Sequence, residues 1–126
     1  MAATGRHFFY DFRFTPKTDA FEDIVESKSF VKKLTTKCLG YKPFQIDLEV
    51  FALMDKEEVI GYTVICATSI GHVSLHSKPL SGSASLDIFL ADTDKEVDSK
   101  VRKLIKETFK CRSIVTSEIL RDAGDQ

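Results

Sequence analysis

A run of alternating side chains near the start of the chain most constrains its fold. Between residues 7 and 14 every second side chain is aromatic, and a period of two is typical of a half-buried β-strand. The aromatic face consists of Phe8, Tyr10, Phe12 and Phe14. The other face consists of His7, Phe9, Asp11 and Arg13. The pattern therefore predicts a strand that buries one face and leaves the other open.

Two later segments have helical spacing instead. They span Phe21–Leu39 and Asp94–Lys110, and apolar residues recur in each of them three or four positions apart. The first stripe consists of Phe21, Ile24, Val25, Val31, Leu34 and Cys38, and the second of Val97, Val101, Leu104, Ile105 and Phe109. Thr93 and Glu96 have the spacing of a capping box before the second segment. Each predicted helix thus has one stripe to bury.

The remaining segments predict strands. These span Phe44–Met54, Val59–Ser69, His72–His76, residues 83–90 and, after the second helix, Cys111–Val115. In the first of them one face consists of Phe44, Ile46, Leu48 and Val50.

The order of these elements predicts an α+β fold, a two-layer sandwich in which both helices pack on one face of an antiparallel sheet. A length of 126 residues fits a single domain over 1–126, with a core at about 5–117 and a polar tail at 118–126. The uncovered face of the sheet suits a dimer contact or a ligand.

The charge balance argues against several classes of partner. The chain has 18 basic and 19 acidic side chains and a formal net charge of −1, so we expect no nucleic acid and no membrane as partner. No run approaches the roughly 18 apolar residues of a spanning helix, and we expect a soluble, cytoplasmic protein. Cys38, Cys66 and Cys111 lack a Cys-x-x-Cys spacing, so neither a disulfide framework nor a metal site is predicted.

The segment from Gly61 to His76 resembles the central segment of bacterial and archaeal S-adenosylmethionine decarboxylases. In that family a Gly-x-Ser strand runs into Glu-Ser, and then into His-x-Ser/Thr-x-His-Thr-Trp-Pro-Glu. The second half is intact here as His72-Val73-Ser74-Leu75-His76, and the family's later Asp-x-Phe is Asp87-Ile88-Phe89. Pro79 and Gly82 fall where the family has proline and glycine, and Gly5-Arg6-His7 is similar to its opening. The resemblance implies the family's fold and its usual homodimer.

The departures from the family pattern concern its chemistry. The family's serine attacks the preceding glutamate carbonyl and becomes the pyruvoyl group, but Ile70-Gly71 stands at that position here. The expected cysteine falls on Ala91, and the tryptophan and glutamate of Trp-Pro-Glu become Lys78 and Leu80. The resemblance therefore implies a chain with no pyruvoyl cofactor, whose decarboxylase activity we expect to be absent.

Several residues that could serve chemistry remain. By the resemblance, Thr63 stands at the family's processing serine and His76 keeps its imidazole. His72 and Ser74 lie on the same strand face as His76, where they are either inherited scaffold or a nucleophilic pair without an identifiable acidic partner. Across the open face we expect ion pairing among Asp11, Arg13 and Asp87.

These observations leave three hypotheses. The first is a pseudoenzyme, a non-pyruvoyl homologue linked to polyamine metabolism, such as spermidine biosynthesis, or to S-adenosylmethionine metabolism. It would bind an S-adenosylmethionine-like small molecule or regulate a paralogous decarboxylase. The second is an active enzyme on S-adenosylmethionine, either processed at a displaced serine such as Ser69 or catalysing another reaction. The third is a structural dimerisation module.

Overall fold

The computed structural model of the chain describes residues 5–69, 71–91, 96–111 and 113–121. The strands are β1 (Gly5–Arg13), β2 (Asp47–Asp55), β3 (Glu58–Ala67), β4 (Gly71–Lys78), β5 (Ser83–Leu90) and β6 (Ile114–Arg121). The helices are α1 (Ile24–Lys33), which continues as a π-helical turn over Leu34–Cys38, and α2 (Val97–Phe109). A short 3₁₀ turn spans Pro43–Gln45.

The strands form one sheet in the order β2-β3-β4-β5-β1-β6, and all neighbours are antiparallel. The chain thus builds the sheet by successive hairpins from β2 to β5. The first strand of the chain, β1, lies beside β5, and the last strand, β6, pairs with β1 and forms the edge of the sheet. The predicted antiparallel sheet is confirmed.

Both helices cover the same face of this sheet. On β1, Phe8, Tyr10 and Phe12 are at most 4% exposed, and they join one cluster with the apolar stripes of α1 and α2. Since each strand sends alternate side chains to opposite sides, all strands contribute to this single core. The predicted two-layer α+β sandwich is confirmed.

Buried hydroxyl groups fix the helices to the strands below them. Ser27 of α1 and Tyr62 of β3 share a hydrogen bond of 2.7 Å, and both side chains are fully buried. From β1, the Tyr10 hydroxyl donates to Asp98 Oδ1 of α2 at 2.8 Å. Burial and the Asp98 carboxylate raise the pKa of Tyr10, so its hydroxyl stays a donor.

The first helix is shorter than its apolar pattern predicts. Phe21 and Val25 are 42% and 72% exposed, so neither belongs to the buried stripe. The Asp19 carboxylate accepts a hydrogen bond of 2.7 Å from the Phe21 amide, and Asp23 has a φ of 67°. The hydrogen bond holds the segment before Ile24 in a turn. The positive φ of Asp23 interrupts a right-handed helix at that residue, so α1 begins only at Ile24.

The predicted strand over Phe44–Met54 also begins too early. Phe44 is 86% exposed and lies in the 3₁₀ turn, where Pro43 occupies the first position. Proline has a fixed φ and no amide hydrogen, which favours a helical start over a ladder position. The Lys42 amide donates to Gln45 Oε1 at 2.8 Å and closes this turn, so pairing starts only at Asp47.

The last strand lies further along the chain than the predicted Cys111–Val115. It spans Ile114–Arg121 and pairs with β1 from Phe12↔Ile114 to Gly5↔Arg121. Residues 118–121, assigned from sequence to a polar tail, are therefore in the sheet. The proposed cap at 93–95 and residues 122–126 lie outside the described residues.

Candidate functional site

The sheet face opposite the helices carries the polar residues that the sequence singles out. One row crosses four strands in register, with Thr63 opposite His76, His76 opposite Ser85, and Ser85 opposite Asp11. A second row places Ser74 opposite Asp87. Both described helices cover the other side, so no helix in the described ranges covers this face.

His76 is held between two hydroxyl groups. The Thr63 Oγ1 atom lies 2.9 Å from its Nδ1 atom, and the Ser74 Oγ atom lies 3.0 Å from its Nε2 atom. A neutral imidazole has one donor and one acceptor nitrogen, so one hydroxyl donates to the ring and the other accepts from it. The two hydrogen bonds therefore fix the orientation of the imidazole ring. The sequence named all three residues, and the fold brings them together.

The expected ion pairs on this face are wrong. Asp11 Oδ1 instead accepts a hydrogen bond of 2.6 Å from the Ser85 hydroxyl. Within the described ranges no ion pair joins Asp11, Arg13 or Asp87 to one another. Ser85 lies between Asp11 and His76 in the row, so Asp11 is not the cross-strand neighbour of His76. The imidazole is oriented at Nδ1 by the hydroxyl of Thr63 instead of a carboxylate.

His72 lies outside this hydrogen-bonded group. Its ring stacks on Phe89 with 5.8 Å between centroids and meets the edge of His7 at 5.9 Å. The Arg121 guanidinium lies 5.7 Å from the Phe89 centroid. Partial burial lowers the pKa of His7, and the nearby His72 lowers it further.

This cluster of His7, His72, Phe89 and Arg121, here called the aromatic corner, was not predicted as a unit. The alternation of β1 and β5 could have placed His7 and Phe89 on the open face. Arg121 could not have been found, since it was assigned to the tail.

Gly71, which the resemblance matches to the family's serine, begins β4 and pairs with Leu90. Its carbonyl accepts hydrogen bonds from the Thr68 amide at 3.0 Å and from Thr68 Oγ1 at 2.9 Å, which closes the β3–β4 turn. A Cβ atom at residue 71 would lie 2.0 Å from the Phe89 carbonyl oxygen. The space beside Gly71 is therefore occupied by backbone, and no side chain fits there without a shift of β4 or β5.

The other positions that depart from the family pattern are dispersed. Ala91 directly follows β5 near Gly71, and Ser69 is exposed in the β3–β4 turn. Lys78 ends β4, roughly 23 Å from Gly71 at the usual rise of a strand, and Leu80 is 44% exposed in the next turn. Lys78 and Leu80 thus cannot line one pocket with Gly71 within a single chain. Ile70 lies outside the described residues.

The described residues do not favour a metal or pyruvoyl centre. No cluster of three His, Cys, Asp or Glu side chains among them could hold a metal ion. Burial raises the pKa of each of the three free cysteines, Cys38, Cys66 and Cys111, above that of an ordinary thiol. The residues at the Gly71 turn do not fit a pyruvoyl group, because position 71 has no hydroxyl.

In the described parts of the chain, no helix combines the length and apolar character needed to cross a bilayer.

Comparison with known proteins decides the family. The sequence matches the family described as S-adenosylmethionine decarboxylase over residues 6–122. The chain belongs to this family. The match covers both helices and all six strands except Gly5, the first residue of β1, so the predicted family is confirmed for nearly the whole chain.

A solved structure of an adenosylmethionine decarboxylase supports the fold. The crystal structure of the adenosylmethionine decarboxylase from Aquifex aeolicus VF5 is similar with a TM-score of 0.71 and 17% identity, covering 100% of this chain and 97% of that one. A dimeric Bacteroides fragilis protein of unknown function and ferredoxin-like fold aligns at 13% identity over 93% and 96% of the two chains. Its TM-score of 0.39 is too low to support an argument. No curated protein sequence gives a significant match.

Proposed function

We propose that this chain is a member of the S-adenosylmethionine decarboxylase family that forms no pyruvoyl group. In this proposal it binds a small molecule similar to S-adenosylmethionine, or a paralogous decarboxylase, on the open sheet face. The observation that carries the proposal is Gly71, whose missing side chain leaves no nucleophile at the matched position. A Cβ atom there would lie 2.0 Å from the Phe89 carbonyl oxygen, which favours a backbone adapted to glycine.

The preserved polar face supports a binding role. Thr63, Ser74 and His76 are joined by two hydrogen bonds, although the proposal leaves no group for them to process. In the aromatic corner, the rings of His72 and Phe89 offer flat apolar surface beside polar groups, a combination that suits a nucleoside-like ligand. The resemblance to the family implies a homodimer, and an uncovered sheet face suits either its contact or a ligand.

We further propose that the protein is cytoplasmic and is linked to polyamine or S-adenosylmethionine metabolism. Three free cysteines suit a reducing compartment.

Titration with S-adenosylmethionine, followed by thermal shift, tests ligand binding. A ligand that binds only the folded state raises its stability by about 2.7 kcal/mol at a hundredfold excess over the dissociation constant. We expect saturable stabilisation that the His72→Ala variant weakens. No shift at millimolar ligand would contradict small-molecule binding and favour an interaction or dimerisation module.

The second candidate function is an active enzyme processed at Ser69. The favouring observation is that Ser69 is exposed in the turn between β3 and β4, near Thr68 and Gly71. Intact-mass measurement separates the two candidates. We expect one species of 14.2 kDa. Two fragments, split before Ser69 or Ser74, would return the chain to the decarboxylase class.

A further inference from the structure

Charge is distributed unevenly between the two layers of the sandwich. The helical segments α1, the π-helical turn and α2 carry eight basic and three acidic side chains. The whole chain has a formal net charge of −1, so the rest of the molecule carries a negative surplus. The net charge of the whole chain conceals this excess, because it adds the positive helical segments to a negative remainder.

Part of the positive charge surrounds a groove of about 260 Å³ between the π-helical turn and α2. Exposed lysines line it from both sides, Lys33 and Lys37 from the first helical segment and Lys100 and Lys103 from α2. Within the described parts of the chain, no carboxylate lies within 4.0 Å of any of these four ammonium groups. The four residues, here called the lysine groove, are therefore without an ion-pair partner in the described structure.

The bottom of the lysine groove is apolar. Leu104 is 7% exposed, and Cys38 is half-buried beside it. Burial raises the pKa of the Cys38 thiol despite the nearby lysines, so the thiol stays neutral and adds to the apolar surface. One carboxylate, that of Glu107, is present among the lining residues.

We propose that the lysine groove docks an acidic segment of a partner protein that carries an apolar side chain between its carboxylates. Four like charges around one groove repel each other, and an acidic partner relieves this repulsion and speeds association. The apolar side chain would contact Leu104 and Cys38. This surface lies on the helix side, so the inference is independent of the function proposed for the open sheet face.

Other occupants fit the groove less well. A polyphosphate, or the phosphate backbone of a nucleic acid, would use the four charges but has no apolar group for the bottom of the groove. A second copy could offer its β2–β3 turn, where Asp55, Glu57 and Glu58 follow the 49% exposed Met54. Such a contact joins different surfaces of two copies, and sedimentation of the protein alone detects it.

The test uses a fluorescent peptide in which leucine is flanked on each side by three glutamates, with binding followed by polarisation. The paired variant Lys37→Glu/Lys103→Glu reverses two charges of the groove. The control Lys28→Glu/Lys106→Glu makes the same change in net charge on α1 and α2, at positions that do not line the groove. All four positions are exposed, and thermal unfolding of each variant checks that it is folded.

We expect the groove variant to weaken binding about tenfold or more and the control about twofold or less. A peptide with glycine in place of leucine should bind several-fold more weakly. Equal weakening by both variants, equal binding of the two peptides, or no binding at millimolar peptide would each overturn the proposal. Self-association that the groove variant abolishes would also overturn it, in favour of a second copy as occupant.

Discussion

The two faces of the sheet are built from the same strands but have opposite characters. On β5, Leu86 is fully buried beneath the helices, whereas its neighbour Ser85 faces outward and bonds to Asp11. On β4, Leu75 is buried while His76 joins Thr63 and Ser74. Because neighbouring residues of a strand share backbone geometry and differ mainly in facing, stability is concentrated on one side and potential binding chemistry on the other.

Substitution of adjacent residues on β5 should show the largest contrast. Leu86→Ala leaves a cavity in the centre of the core, and we expect a loss of about 3 kcal/mol in the free energy of unfolding. Ser85→Ala on the open face removes one hydrogen bond and should cost about 1 kcal/mol. Urea denaturation measures both. Similar losses would show that the open face is also part of the stabilising core.

Gly71 is a separate case in this comparison, because a side chain at this position would meet the backbone of β5 and not a neighbouring side chain. A Cβ atom there would meet the Phe89 carbonyl oxygen, so Gly71→Ala and Gly71→Ser should each lower stability by about 1–3 kcal/mol. Intact mass should show that Gly71→Ser remains uncleaved. Comparison with Gly71→Ala separates the effect of Cβ from that of the hydroxyl, and cleavage of the serine variant alone would contradict the expectation.

The hydrogen bond between Ser27 and Tyr62 tests the polar contacts beneath the helices. Tyr62→Phe leaves the Ser27 hydroxyl buried without this partner, and we expect a loss of about 1–2 kcal/mol. The double variant Ser27→Ala/Tyr62→Phe removes both hydroxyls and should lose less than the sum of the single changes. Strict additivity in denaturant titrations would mean that the two groups are not coupled.

The smallest expected effect is a pH dependence at the aromatic corner. The pKa of His7 lies below its ordinary value of 6.5 because of burial and because of His72, so the unfolded chain takes up the proton first as pH falls. The contribution is intact above about 6.5 and is lost as pH falls from there towards the lower folded pKa. His7→Asn should flatten this part of the stability profile, and an unchanged slope would contradict the assignment.

The sequence predicted which residues belong to the candidate site better than it predicted their contacts with residues of neighbouring strands. Thr63, Ser74 and His76 were named in advance because their types and spacing follow the family motif, and the fold brings them within hydrogen-bond distance. The ion pair expected of Asp11 did not form, because the strand register placed Ser85 opposite it. Such cross-strand neighbours depend on pairing between segments far apart in the chain.

Periodicity alone determined the buried face of β1, the stripe of α2 and the element order, since side-chain direction follows directly from local backbone geometry. For the first stripe it was right about Val31 and Leu34 but wrong about Phe21 and Val25, which are exposed. Local pattern failed at Phe44, where a turn with Pro43 overrides β-propensity. Tertiary structure alone decided that β6 pairs with β1 and brings Arg121 to Phe89. It also joined lysines about sixty residues apart in one groove and placed the Phe89 carbonyl against Gly71, because such contacts arise only when distant segments pack together.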